Sequence, residues 1–168
     1  RSSAGFTDSD GPVLYRHRFA GQPLDGDRRA FVVFDGLFYF GDVWLDADYL
    51  GATEGYFFPH EFEITDPVRR HDEHVVAVEV ACPRQSDRTA KRLVTGVFSH
   101  WDNLDPDWNP GGLWRPVRVV ETGPVRLARL RCVCIEATEE RGRLLLDLTL
   151  DAAGSGSDDE PAPRPARL

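Results

Sequence analysis

Hydrophobic and polar residues alternate along most of this chain with a period of two. Over the range 144–151, leucines at the even positions alternate with Leu145, Asp147, Thr149 and Asp151, a pattern that indicates a β-strand with one buried face. The same reasoning predicts further strands at Val13–Phe19, Ala30–Asp35, Phe38–Asp46, Tyr56–Ile64, Val76–Cys82, Leu93–Ser99, Val117–Glu121 and Leu130–Cys134. No long amphipathic helix is predicted.

Turn-forming residues separate these strands. They occur at Gly21-Gln22-Pro23, Asp35-Gly36, Gly51, Asp66-Pro67, Pro83 and Asn109-Pro110-Gly111-Gly112. Many short strands bounded by turns predict an all-β protein, built as an antiparallel β-sandwich or barrel. We expect Trp44, Val76, Val78, Val80 and Trp114 to be largely buried in its core.

The strand pattern also predicts the domain organisation. Residues 1–11 read as a loop or frayed end, and residues 12–123 contain enough strands to close a two-sheet sandwich. Only two confident strands follow in 124–168, and two strands cannot bury a core alone. We therefore expect a second, truncated domain there, with a flexible Gly/Ser/acidic/Pro segment at 153–168.

Composition excludes several classes of protein. The chain is 41% hydrophobic and 29% charged, which is ordinary for a globular domain. It has no apolar run of the roughly 18–20 residues that a membrane helix needs, so no membrane partner is expected. The net charge is −8 with scattered basic residues, so no nucleic-acid partner is expected either.

The cysteines and the first residue carry less information. The chain has three cysteines, too few for a disulfide framework, and we expect all three to be buried and reduced. It has no methionine and opens on Arg1, so we expect that an N-terminal segment is missing. A signal peptide would lie in that segment, so the sequence makes no prediction of the cellular compartment.

Four motifs in order carry a resemblance to a known family. They are "FDGLFYFGDVWLDADYLG" at 34–51, "GYFFPHEFEIT" at Gly55–Thr65, "EHVVAVEV" at Glu73–Val80 and "NPGGLWRPVRV" at Asn109–Val119. Together they resemble the N-terminal sugar-binding domain of glycoside hydrolase family 2, which includes β-galactosidases, β-mannosidases and β-glucuronidases. The resemblance implies a galactose-binding-like jelly roll at 12–123, followed at 124–168 by the start of an immunoglobulin-like domain.

Two details around these motifs lead to local expectations. The family usually has Asn-Gly in the central hairpin, whereas this chain has Asp46-Ala47-Asp48. A type I′ turn is less natural without glycine, so we expect a different or longer turn. On the strand with Trp114, Arg115 is expected to pair with an acid through its planar guanidinium.

The resemblance implies a retaining glycosidase whose catalytic residues lie elsewhere. Retaining enzymes use two carboxyl groups about 5–5.5 Å apart, and in this family both are glutamates of a barrel that nothing in this chain matches. The chain alone is therefore expected to lack catalytic residues. No cofactor is predicted. His71 and His74, with Asp72 and Glu73, imitate a metal cluster, but a solvated charged turn is the preferred interpretation and no metal site is predicted.

The stretch Phe98–Trp114 is the candidate substrate-binding segment. Tryptophans and aspartates crowd into a turn-rich span there, and this composition suits a carbohydrate, which stacks on aromatic rings and hydrogen-bonds to carboxylates. The candidates are Trp101, Asp102, Asp105, Asp107 and Trp108. Trp101-Asp102 resembles the Trp-Asp pair that β-mannosidases carry in this loop, and Asp105 and Asp107 are the alternatives if the β-galactosidase-like register holds. The equally open alternative is that the aspartates cap turns and the tryptophans cover the sandwich end.

The leading functional hypothesis is a non-catalytic sugar-binding domain of a family 2 glycoside hydrolase. It would brace the catalytic barrel of the same parent chain and contribute a loop to its pocket, with a β-glycoside as the carbohydrate partner. The alternatives are a stand-alone carbohydrate-binding module and a structural interaction sandwich. The sequence downstream of Leu168 would separate the first two.

Overall fold

The computed structural model describes residues 12–21, 23–55, 57–82 and 111–154. The chain divides into two compact units. Unit 1 comprises Arg1–Gly26 and Ala30–Glu121, and unit 2 comprises Asp27–Arg29 and Thr122–Leu168. The elements are β1 (Val13–Ala20), β2 (Arg29–Phe34), β3 (Leu37–Phe38), β4 (Phe40–Leu45), β5 (Asp48–Glu54), β6 (His60–Glu63), α1 (Thr65–Arg70), β7 (Glu73–Ala81), β8 (Gly112–Leu113), β9 (Val117–Thr122), β10 (Val125–Ala137) and β11 (Gly142–Ala152).

Unit 1 is an antiparallel β-sandwich, which confirms the predicted fold class. One sheet has the strand order β1-β7-β4-β5 and another the order β6-β2-β9, while β3 pairs with β8. Inward-facing residues of both larger sheets form one apolar core, to which β2 contributes Val32 and Phe34, β4 contributes Leu45, and β7 contributes Val78 and Val80. The period of two explains this core, because alternate residues of a strand point to the same face.

Several local predictions need correction. Gly51 is not a turn residue but lies inside β5, paired with Val43, because its φ of 146° lets the strand continue past the ring of Phe62. Trp114 is 43% exposed and Trp44 is only half-buried, because Trp114 follows a two-residue strand and Trp44 points to the outer face of its sheet. Val76, Val78 and Val80 of β7 are buried as expected.

The β4–β5 turn also differs from the prediction. Leu45 pairs with Asp48, so the turn has only two central residues, Asp46 at φ 52° and Ala47 at φ 78°. Positive φ at both positions is the type I′ geometry, which matches the twist of a hairpin. Aspartate tolerates the left-handed region, and the contacts of its carboxylate, described below, hold the turn in this shape.

Unit 2 contains the antiparallel hairpin β10–β11, whose two faces differ in chemistry. The register places apolar side chains together on one face: Leu127, Leu130, Cys132, Cys134, Leu144, Leu146, Leu148 and Leu150. The opposite face carries ion pairs, including Arg126 with Asp151 at 2.8 Å and Arg129 with Asp147 at 3.3 Å.

The apolar face of the hairpin is open to solvent within the chain. Its leucines are 50–64% exposed, whereas the alternating pattern predicted one buried face. Cys132 and Cys134 are exposed and only Cys82 is buried, so the expectation of three buried thiols is wrong for two of them. The predicted pattern is present, but the partner that would bury it is not among the described residues.

Candidate functional site

The predicted substrate-binding residues cannot be placed. Trp101, Asp102, Asp105, Asp107 and Trp108 all fall in the range 83–110, outside the residues that the structure describes. The described chain stops at Cys82, after β7, and resumes at Gly111, before β8. Residues 111–114 are therefore the part of the candidate segment that the structure describes.

A hydrogen-bonded junction joins the Asp35-Gly36 turn to the strand that carries Trp114. The Trp114 N–H donates to the Gly36 carbonyl at 3.2 Å, and the Asp35 N–H donates to the Pro116 carbonyl at 3.0 Å. A β-carbon on Gly36 would lie 2.6 Å from Nε1 of Trp114. Glycine is therefore required here for the close approach of the indole ring.

A bidentate ion pair closes the same junction. Asp35 accepts hydrogen bonds from Nε and Nη2 of Arg118, both at 2.7 Å. The hydrogen bond from Arg118 lowers the pKa of the Asp35 carboxyl below its ordinary value, so the carboxylate stays ionised and occupied. The acid-pairing arginine is thus Arg118 rather than Arg115, whose guanidinium lies 4.1 Å from the Trp114 ring centroid in a cation–π contact.

A second polar cluster lies inside unit 1, around His74. The His74 side chain is fully buried, and its Nδ1 lies 2.7 Å from Oδ2 of Asp46. Its Nε2 lies 3.0 Å from the His71 carbonyl oxygen. Both partners are hydrogen-bond acceptors, so the ring of His74 is held at both nitrogens by oxygen atoms.

Asp46, whose side chain is partly exposed, is the acidic partner of His74 and holds the β4–β5 turn. Its other oxygen accepts a hydrogen bond from the Val75 N–H at 2.7 Å. Burial alone would raise the pKa of Asp46, but the hydrogen bonds from His74 and Val75 outweigh it and lower the pKa below its ordinary value. The prediction of a solvated charged turn is therefore wrong for His74, because β7 begins at Glu73 and turns this side chain inward.

Unit 1 also has a cleft of about 500 Å³ with mainly apolar walls. β1 contributes Tyr15 and Phe19, β7 contributes Val76 and Val78, and β9 contributes Val117. Such walls suit an apolar group rather than acid–base chemistry. Sequence reasoning missed this cleft because it depends on how two sheet edges approach each other.

The described part of the chain does not indicate metal binding or thiol chemistry. No group of three or more His, Cys, Asp or Glu side chains is placed there to hold a metal ion. Burial raises the pKa of the Cys82 thiol to about 12, so this thiol stays protonated and unreactive. No helix within those ranges is long and apolar enough to cross a membrane.

Comparison with protein families gives a match over most of unit 1. Residues 9–115 match the model of the glycosyl hydrolase 2 galactose-binding domain-like family. The chain is 24% identical over 117 residues to a β-glucuronidase of Formosa agariphila, covering 70% of this chain and 11% of that protein. It is 26% identical over 126 residues to β-mannosidase B of Emericella nidulans, covering 62% of this chain and 15% of that protein.

Solved structures share the same fold. β-glucuronidase 3 of Bacteroides uniformis aligns with a TM-score of 0.63 at 19% identity, over 86% of this chain and 19% of that chain. The β-glucuronidase of Parabacteroides merdae aligns with a TM-score of 0.65 at 18% identity, over 86% of this chain and 19% of that chain. In both comparisons with solved structures, this chain spans about a fifth of the relative's length.

Proposed function

Since this chain belongs to the glycosyl hydrolase 2 family, as a galactose-binding-like N-terminal domain, we propose that it is the non-catalytic sandwich of a larger glycosidase. The larger protein would hydrolyse O-glycosidic bonds in carbohydrates with carboxyl groups on another domain. The observation that carries this proposal is the family match over residues 9–115 in a chain that spans only 11–15% of its curated relatives.

The proposal is tested by comparing the 168-residue chain with the longer protein that contains it. We expect the longer protein to hydrolyse a nitrophenyl β-glycoside and the chain alone to leave the same panel of substrates intact, because hydrolysis needs a spaced carboxyl pair. Turnover by the purified chain that a single Glu→Gln substitution within it abolishes would overturn the proposal.

We further propose that the segment 98–114 contributes to the substrate pocket of that glycosidase. Trp101 and Trp108 would stack on sugar rings, and Asp102, Asp105 and Asp107 would accept hydrogen bonds from hydroxyl groups. The composition of the segment supports this role, since aromatic rings stack on sugars and carboxylates accept hydrogen bonds from their hydroxyl groups.

Asp102→Ala in the longer protein tests this role. A hydrogen bond between a carboxylate and a sugar contributes about 1.5–3 kcal/mol, so kcat/KM should fall roughly ten- to a hundredfold. Asp66→Ala is the matched control, since Asp66 lies in α1 with its side chain 74% exposed. A lowered melting temperature with unchanged kcat/KM, repeated for Asp105→Ala and Asp107→Ala, would make these residues turn caps instead.

For unit 2, we propose that residues 124–168 begin an immunoglobulin-like domain, whose other strands would pack on the apolar face of β10–β11. The separation of apolar and charged side chains onto opposite faces supports this proposal, because a two-stranded hairpin is only marginally stable until one face is covered. Leu146→Asp should destabilise the longer protein and leave the melting of unit 1 in the 168-residue chain unchanged. Equal effects in both proteins would contradict the proposal.

A further inference from the structure

On the outer face of the sheet β1-β7-β4-β5, two rows of side chains run across the strands and do not pack into the core. The register aligns Arg16, Ala77, Trp44 and Tyr49 across the four strands, and we call this set the aromatic row. The neighbouring set is Leu14, Glu79, Asp42 and Ala52, which we call the carboxylate row. Residues of both rows point away from the core, and none of them is buried.

Two rings form the centre of the aromatic row. The Trp44 and Tyr49 ring centroids lie 5.6 Å apart, with an angle of 55° between their planes. Tyr49 is 56% exposed. Trp44 pairs in register with Ala77, whose small side chain does not project above the sheet as far as the indole ring does. The two rings therefore offer adjacent apolar surfaces that are tilted, not coplanar.

The carboxylate row holds one of these rings in place. The Tyr49 hydroxyl donates to Oδ1 of Asp42 at 2.7 Å, and this hydrogen bond raises the pKa of the phenol. An anchored ring loses less conformational entropy when a ligand binds. Asp42 and Glu79 also lie beside the stacking surface, where they can accept hydrogen bonds from hydroxyl groups.

We propose that this outer face binds a neutral oligosaccharide chain, with sugar rings stacked on Trp44 and Tyr49. Hydroxyl groups would donate to Asp42 and Glu79 and accept from Arg16 at the end of the aromatic row. Four strands spaced about 4.8 Å apart make a row about 14 Å long, enough for about three sugar rings. The tilt between the rings favours one twisted chain over the flat surface of a crystalline polysaccharide.

The charge of this surface does not suit single-stranded nucleic acid, another polymer that stacks on aromatic rings. Single-stranded nucleic acid needs a positive groove along its phosphates, whereas two carboxylates flank this surface in a chain of net charge −8. The choice of a glycan rests in part on the proposed glycosidase function. The residues of this site belong to β1, β4, β5 and β7, and none of them is part of the segment 98–114 proposed to reach the substrate pocket.

The test is titration of the 168-residue chain with mannohexaose, cellohexaose and maltohexaose, followed by calorimetry and by tryptophan fluorescence. We expect at least one neutral hexasaccharide to bind and hexagalacturonic acid to bind more weakly. Tyr49→Ala and Trp44→Phe should each lower the association constant, by about five- to tenfold for Tyr49→Ala. Phe57→Ala is the control, since Phe57 is 57% exposed but lies outside both rows.

Two results would overturn the proposal. One is the absence of binding by all three neutral hexasaccharides at about 5 mM ligand, with the chain shown to be folded by circular dichroism. The other is binding that Tyr49→Ala and Trp44→Phe leave unchanged or that Phe57→Ala weakens equally. Neither result bears on catalysis, so a failure here is distinguishable from a failure of the glycosidase proposal.

Discussion

Replacing Asp46 by asparagine removes one negative charge from the β4–β5 turn while preserving its shape. Asparagine also tolerates positive φ, and its carbonyl oxygen can still accept the hydrogen bond that the Val75 N–H donates to Asp46. What disappears is the negative charge that faces the buried ring of His74. The variant therefore isolates the ion pair from the geometry of the turn.

The size of the effect follows from the burial of the two partners. A hydrogen bond to a charged group contributes about 1.5–3 kcal/mol, and removing one member of a fully buried ion pair costs about 3–5 kcal/mol. The His74 side chain is fully buried but that of Asp46 is 27% exposed, so water screens part of the interaction. We expect the free energy of unfolding to fall by about 2–3 kcal/mol, which lowers the melting temperature of a unit of this size by roughly 8–12 °C.

The assay is thermal and urea unfolding of the chain, followed by circular dichroism. Asp48→Asn is the matched control, because Asp48 is exposed in the same hairpin and should shift the melting temperature little. Equal melting temperatures for Asp46→Asn and Asp48→Asn would refute the reasoning.

The dependence on pH gives an independent check. Because the pKa of Asp46 is lowered in the folded protein, its contribution to stability is present above the unfolded value of about 3.9 and is lost as pH falls through the folded pKa. The stability difference between the wild type and Asp46→Asn should therefore shrink as pH is lowered from about 5 towards 2. A difference that stays constant over this range would mean that the carboxylate charge contributes nothing.

Three further predictions concern backbone and packing. Ala47→Gly should raise the free energy of unfolding by about 0.5–1 kcal/mol in urea unfolding, because Ala47 has φ 78° and glycine adopts this conformation without strain. Gly41→Ala should lower it by about 1–3 kcal/mol, since the added β-carbon would lie 2.6 Å from Oγ1 of Thr53, whereas Gly142→Ala, with nothing within 4 Å, should be neutral. Gly36→Ala should shift the fluorescence of Trp114 towards that of a fully solvated indole, because the ring must leave its position; an unchanged spectrum would contradict the contact.

Local sequence patterns were enough to predict the fold class and most of the strands. Alternation predicted β7 and placed Val76, Val78 and Val80 on its buried face, because the period of two is a local property of an extended chain. The four motifs likewise predicted the family, whose model matches residues 9–115. Where period and turn residues agreed, local information was sufficient.

The contacts of individual polar residues depend on the tertiary structure. The sequence around Asp46 did not predict a type I′ turn. The turn forms with Asp46 in contact with His74, which lies 28 positions further along the chain. Arg118 and not Arg115 reaches Asp35, and the aromatic row exists only because the register brings four strands side by side. Such contacts depend on strand order and register, which the pattern along one strand does not encode.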